Sequence, residues 1–181
     1  PVISAYQEIV KVYQHSEVAI EANLRIGILL AHYRNDIIEA EKYFIIITET
    51  YPMSKFASLA FIELGNIKIQ QAKLDEAEKL FQSVVKLQRA NPEDKSYANY
   101  QLARIFSFKN DFESARKYLM SVMGNLKDNI ANDAIELSIL LNTAKNDSSN
   151  LSLYCSAEFL TQQKRFSEAK DLYLQLSQNP Q

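Results

Sequence analysis

The chain has 181 residues, 47% hydrophobic and 23% charged, the balance of a well-packed protein with room for a sizeable core. Its net charge of −2 and its lack of any Lys/Arg cluster provide no basic stripe for counterion release, which argues against nucleic-acid binding. Three Gly and four Pro are too little punctuation for an all-β fold, and the longest apolar stretch, Tyr43 to Ile47, is far too short to span a bilayer.

Apolar residues recur at helical spacing from end to end, and strand-like alternation is absent. The spacing predicts about ten helices, over 2–14, 17–34, 36–50, 54–72, 74–89, 93–109, 111–123, 130–145, 149–164 and 166–178. The first of these, with Ala5, Tyr6, Ile9 and Val10, reads as the second helix of a preceding unit, so the chain is expected to be a piece of a longer protein. Ser16, Ser54 and Asn91 (followed by Pro92) are expected to cap the helices they precede, because their side chains accept a bond from a free N–H of the first turn. Breaks at Asn35-Asp36, Ala72-Lys73, Asn110-Asp111 and Lys164-Arg165 leave connections so tight that the helices on either side must run antiparallel.

A phrase recurs through these pairs. A small residue in the first helix is followed by Ala early in the second and a large side chain four residues on. It reads Gly27, Ala40, Phe44; Gly65, Ala77, Phe81; Ala103, Ala115, Leu119; and Ala157, Ala169, Tyr173. Positions 27, 65 and 103 stand 38 residues apart, the kind of period that marks stacked helical hairpins. The small residues let the two helices approach, and the large one fills the space beyond the contact. A second phrase, Tyr13, Ser16, Ala19 and Ala22, returns at the same offset as Tyr51, Ser54, Ala57 and Ala60.

The pattern resembles the tetratricopeptide repeat, whose signature is W-x2-L-G-x2-Y, then A-x3-F, then a late Pro. The resemblance covers a half-repeat at 1–15 and repeats at about 20–52, 58–92, 96–129 and 150–181. The second repeat is the best copy, with Phe61 at the Trp position, Leu64-Gly65, Ala77 and Phe81; late prolines are Pro52, Pro92 and Pro180. Three departures stand out. Repeat one has thirteen steps from Gly27 to Ala40 where the others have twelve; Asn23 and Asn99 occupy the Trp position; and residues 130–145 form a helix out of register. The resemblance implies an all-α, right-handed superhelical solenoid of antiparallel hairpins over residues 1–181. The Tyr-x-x-Ser-x-x-Ala-x-x-Ala phrase is also similar to bacterial cell-envelope members of the outer-membrane-assembly and Tol-Pal-associated types, which favours periplasm or cell envelope over cytoplasm.

In that family the first helices of successive repeats line a concave groove that binds peptides. The resemblance places Leu24, Ile62, Tyr100 and Tyr154 on the groove, with Ile28, Asn66, Arg104 and Glu158 as a second set and Leu59, Tyr97 and Leu151 beside them. Members that bind chaperone tails clamp a C-terminal carboxylate with Lys at the first set and Asn at the second. Here the first set is apolar or aromatic and only Asn66 matches, which argues against that clamp. An apolar surface with phenols suits a helix or extended segment of a protein partner instead.

Catalysis finds little support. His15 and His32 are the only histidines and sit in no metal-ligand spacing; HExxH, P-loop and GxSxG are absent. Cys155 lies among apolar neighbours, cannot form an intrachain disulfide and reads as a buried, inert thiol. The carboxylates Glu39, Glu41, Glu76 and Glu78 read as a solvated face with local partners Lys42 and Lys79. The expectation is a non-catalytic scaffold without cofactor or metal. A structural spacer in a larger assembly and the helical part of a larger enzyme are the alternatives.

Overall fold

Helix-period patterning with so few breakers leaves one way to bury the apolar faces, helix against helix. The computed structural model describes residues 1–123 and 130–178, and among them every regular element is helical. In chain order these are α1 (Val2–Val12), α2 (Glu17–Ile28), α3 (Ile37–Ile45), α4 (Ala57–Gln70), α5 (Leu74–Lys86), α6 (Pro92–Phe108), α7 (Phe112–Met123), α8 (Ala131–Thr143), α9 (Ser148–Gln162) and α10 (Phe166–Gln178). The ends of the expected repeats 96–129 and 150–181, with Pro180, lie outside the described residues.

The four hairpins turn on one local geometry. Three residues separate α4 from α5, α6 from α7 and α9 from α10, and the middle one, Ala72, Asn110 or Lys164, is left-handed at φ 61, 62 and 61°. The next N–H reaches back five residues, from Lys73 to the Lys68 carbonyl (2.8 Å), Asp111 to Phe106 (2.9 Å) and Arg165 to Leu160 (3.0 Å), which satisfies carbonyls that the ending helix leaves free. The first hairpin carries the extra residue as a single π turn, Leu29–Tyr33, in which the Arg34 N–H bonds the Leu29 carbonyl at 3.2 Å. A π turn holds one residue more than an α turn, so the insertion is absorbed before Asn35 (φ 53°) repeats the left-handed step.

The recurrent phrase is the inner contact of each hairpin. A Cβ built on Gly65 would stand 2.7 Å from Phe81 Cζ, so only glycine admits the ring at that distance. Ala40, Ala77 and Ala115 and the rings of Phe44 and Phe81 are fully buried. Three apolar cores run along the chain, each shared by neighbouring hairpins: around Phe44, around Phe81, and around Leu119 and Leu141.

Capping partly follows expectation. Ser16 accepts from the Ala19 N–H (3.2 Å) and Asn91 from the Asp94 N–H (2.6 Å). Ser54 does not cap: α4 begins at Ala57 after Phe56, and the Ser54 hydroxyl is buried without a partner. Asp36, Asp111 and Asp147 cap instead, accepting from Glu39, Ser114 and Asn150.

The out-of-register helix is α8. It packs on α7, where Arg116 donates to the Leu141 carbonyl (2.6 Å) and Asn142 Oδ1 (3.2 Å). Beyond it α9 returns to α6, the Phe108 and Phe159 rings stacking at 5.1 Å. Lys164 Nζ then donates to Asn35 Oδ1 at 2.6 Å, so the turn of the last hairpin lies beside the turn of the first.

Candidate protein-binding face

The site grows from the inner surfaces of α4, α6 and α9. From α4 and α6 comes a chain of polar groups: Tyr97 donates to Asn66 Oδ1 (3.2 Å), Gln101 Nε2 to the Tyr97 oxygen (2.7 Å) and Arg104 Nη1 to Gln101 Oε1 (3.1 Å). Arg104 also lies over two rings, 5.9 Å from the Tyr100 centroid and 5.5 Å from Phe108, a geometry that favours a cation.

One step along, Tyr100 and Arg104 on α6 meet Tyr154 and Glu158 on α9 around a cavity of about 300 Å³. The opposite wall is α8, through Asp133, Glu136, Leu137 and Leu140. These four recur at three- and four-residue spacing and therefore share one helical face. Tyr173 on α10 supports α9 from behind, with its ring edge-on to Tyr154 at 6.2 Å and its hydroxyl donating to Glu158.

Burial governs the titration of this wall. It pushes Tyr100 and Tyr154 above the ordinary phenol value, and burial with the Glu158 bond lifts Tyr173 to about 12. The Cys155 thiol is pushed to about 11, first by burial and then by Glu158. A thiol so protonated is a poor nucleophile. Arg104 gives its hydrogen bond to Gln101, leaving Asp133, Glu136 and Glu158 as three carboxylates against one guanidinium. Among the described residues no group of three His, Cys, Asp or Glu is placed to hold a metal ion, and no helix is long and apolar enough to cross a membrane.

The residues expected on the groove separate into three kinds. Tyr100, Arg104, Tyr154 and Glu158 come together at the cavity. Asn66 and Tyr97 join them through the polar chain, and Ile28 (half-buried) and Leu59 (41% exposed) lie farther along the solenoid. Leu24 and Ile62 are placed differently from expectation: at 3% and 8% exposure they pack into the first and second cores and offer a partner almost no surface. Leu151, at 2%, is buried in the third. Gln101 and the α8 wall were not among the expected residues. The spacing of Asp133, Glu136, Leu137 and Leu140 was legible, but nothing in it says that α8 faces α6.

A family model for the tetratricopeptide repeat matches residues 60–91 and again residues 96–124. Those two stretches, about a third of the chain, are similar to the tetratricopeptide repeat. They take in most of α4–α5 and α6–α7, two of the three hairpins with twelve steps between small residue and Ala. No curated protein and no solved structure matches the chain. Tetratricopeptide repeats generally mediate protein–protein interactions and are as a class non-catalytic. The match specifies the repeat itself and no cell-envelope subclass. In the phrase that suggested one, Ala57 and Ala60 are fully buried and Tyr51 is bonded to His15, which is packing.

Proposed function

We propose that this chain is a non-catalytic scaffold that holds a segment of a partner protein at the cavity between α6, α8 and α9. One observation carries the reading. Tyr100, Arg104, Tyr154 and Glu158, from helices some fifty positions apart in sequence, converge on a single opening whose walls alternate phenol, apolar and carboxylate groups. Phenols bury large rigid area at small entropic cost, and a preformed wall lowers the cost of ordering the bound segment. The excess of carboxylates suits a segment with a basic side chain among apolar ones.

The experiment is capture of partners with this chain as bait, followed by titration of a captured partner against a Tyr100→Ala/Tyr154→Ala double variant. Affinity is expected to fall about tenfold or more with helicity unchanged. Unaltered affinity would remove the cavity as the site.

A second reading, a spacer whose inner face is occupied by its own chain, draws on two contacts. Phe159 stacks on Phe108, and Lys164 reaches Asn35, so α9 covers surface that a peptide would otherwise use. Under this reading the double variant loses thermal stability and no partner.

A further inference from the structure

In the first three hairpins the residue after the recurrent Ala reaches the C-terminal end of the helix stacked next. Glu41 accepts from Gln71 at the end of α4 (2.8 Å). Glu78 accepts from Lys109 at the end of α6 (2.8 Å). Arg116 donates to the Leu141 carbonyl in the last turn of α8 (2.6 Å). In the fourth hairpin that place belongs to Lys170, which is exposed and bonds no described residue. Its neighbours at three and four positions are Phe166, Ser167, Tyr173 and Leu174, so its own helix offers it no carboxylate. Lys170 lines an open groove of about 350 Å³ along α9 and α10, where Phe166 is 63% and Leu174 48% exposed.

The walls of this groove match a surface that is already filled elsewhere in the chain. Thr161, Phe166, Ala169 and Tyr173 hold the places of Ile69, Leu74, Ala77 and Phe81, counted from the left-handed residues Lys164 and Ala72. Those four share one core with Ala98, Leu102 and Ile105 of α6. The same spacing, Ala60, Leu64 and Ile67, seats α4 in the first core. A helix with Ala, then large apolar residues four and seven positions on, is therefore the shape that this surface takes. We infer that the groove along α9 and α10 docks such a helix from a partner protein, and that Lys170 selects one ending in an acidic residue. A cation also suits the free carbonyls at a helix C-terminus, as Arg116 does at α8. The matching faces of α4 and α6 are packed inside this chain's own cores, so a second copy has neither to offer.

The probe is a fluorescein-labelled peptide with the sequence of residues 91–109, which keeps Asn91 as cap and Ala98, Leu102 and Ile105 as its apolar face. With Lys109→Glu in the peptide, saturable binding to the chain is expected in fluorescence anisotropy. The unchanged peptide, whose Lys109 meets Lys170, is expected to bind about fivefold more weakly. Lys170→Glu in the protein is expected to reverse that order, and Phe166→Asp to abolish binding of both. The reversal also decides the matter if Phe166→Asp loses helicity. The inference is overturned if neither peptide binds, if the two bind equally, or if Lys170→Glu leaves their order unchanged. It is overturned likewise if Tyr100→Ala removes binding and Phe166→Asp does not, which would put the peptide in the concave cavity. Self-association of the chain that Phe166→Asp abolishes would make the occupant a second copy and overturn the partner.

Discussion

Gly27 and Phe44 stand so close that a Cβ added to the glycine would lie 2.6 Å from Phe44 Cε1 and 2.8 Å from Cζ. The ring is fully buried and has nowhere to go. Gly27→Ala gains about 1 kcal/mol of helix propensity, yet overpacking a full core costs about 1–3 kcal/mol. A net loss of up to about 2 kcal/mol is expected in urea denaturation. Phe44→Leu should make room, so the double variant should lose less than the sum of the two single losses. Strict additivity would show that the contact is not the constraint.

The π turn Leu29–Tyr33 makes a second test. Deleting Tyr33, which is 80% exposed, leaves twelve steps from Gly27 to Ala40 and an ordinary α turn before Asn35. Circular dichroism should show full helicity and thermal denaturation a change within about 1 kcal/mol, as for other surface changes that spare the core. Failure to fold would mean that the π turn itself is required.

Ala72 is the least suited of the left-handed residues. It holds φ at 61° with a Cβ that this conformation crowds and no polar side chain to compensate. Ala72→Gly is expected to raise stability by about 1 kcal/mol, read as a higher midpoint in thermal denaturation. A lower midpoint would show that unfolded-chain entropy outweighs the strain.

The hairpins were legible because their signals are local. The breaks at 35–36, 72–73, 110–111 and 164–165 fall on the left-handed turns, and the small-to-large phrase gives the inner contact of each pair. Relations between hairpins were not. Leu24 and Tyr100 share a register position, yet one is buried in the first core and the other borders the cavity. What separates them is α8, whose placement depends on packing between units and leaves no mark in periodicity. Charge pairing shows the same limit. Glu39 finds Lys42 three residues on, but Glu41 bonds Lys68 at 2.6 Å and Glu78 bonds Lys109 at 2.8 Å, across helices.

Lys68 is 8% exposed and joins Glu41 of α3 to Glu76 of α5, at 2.6 and 3.0 Å, with Gln71 donating to Glu41 at 2.8 Å. Replacing it by Met leaves Glu41 half-buried without its cation, and a loss of about 1–3 kcal/mol is expected at neutral pH. The pH profile identifies the cause. Burial raises the Glu41 carboxyl, but the bonds from Lys68 and Gln71 outweigh it and hold it below its ordinary 4.5. Burial lowers Lys68, and its bonds to Glu41 and Glu76 outweigh that, holding it above 10.5. A carboxylate with a depressed folded pKa contributes stability that is complete above 4.5 and lost as pH falls through the folded value; an ammonium with a raised one contributes until pH climbs past 10.5. The difference in unfolding free energy between parent and Lys68→Met should therefore be flat between those limits and shrink on either side. A difference that stays constant into acid would assign the loss to packing of the Lys68 stem and not to its charge.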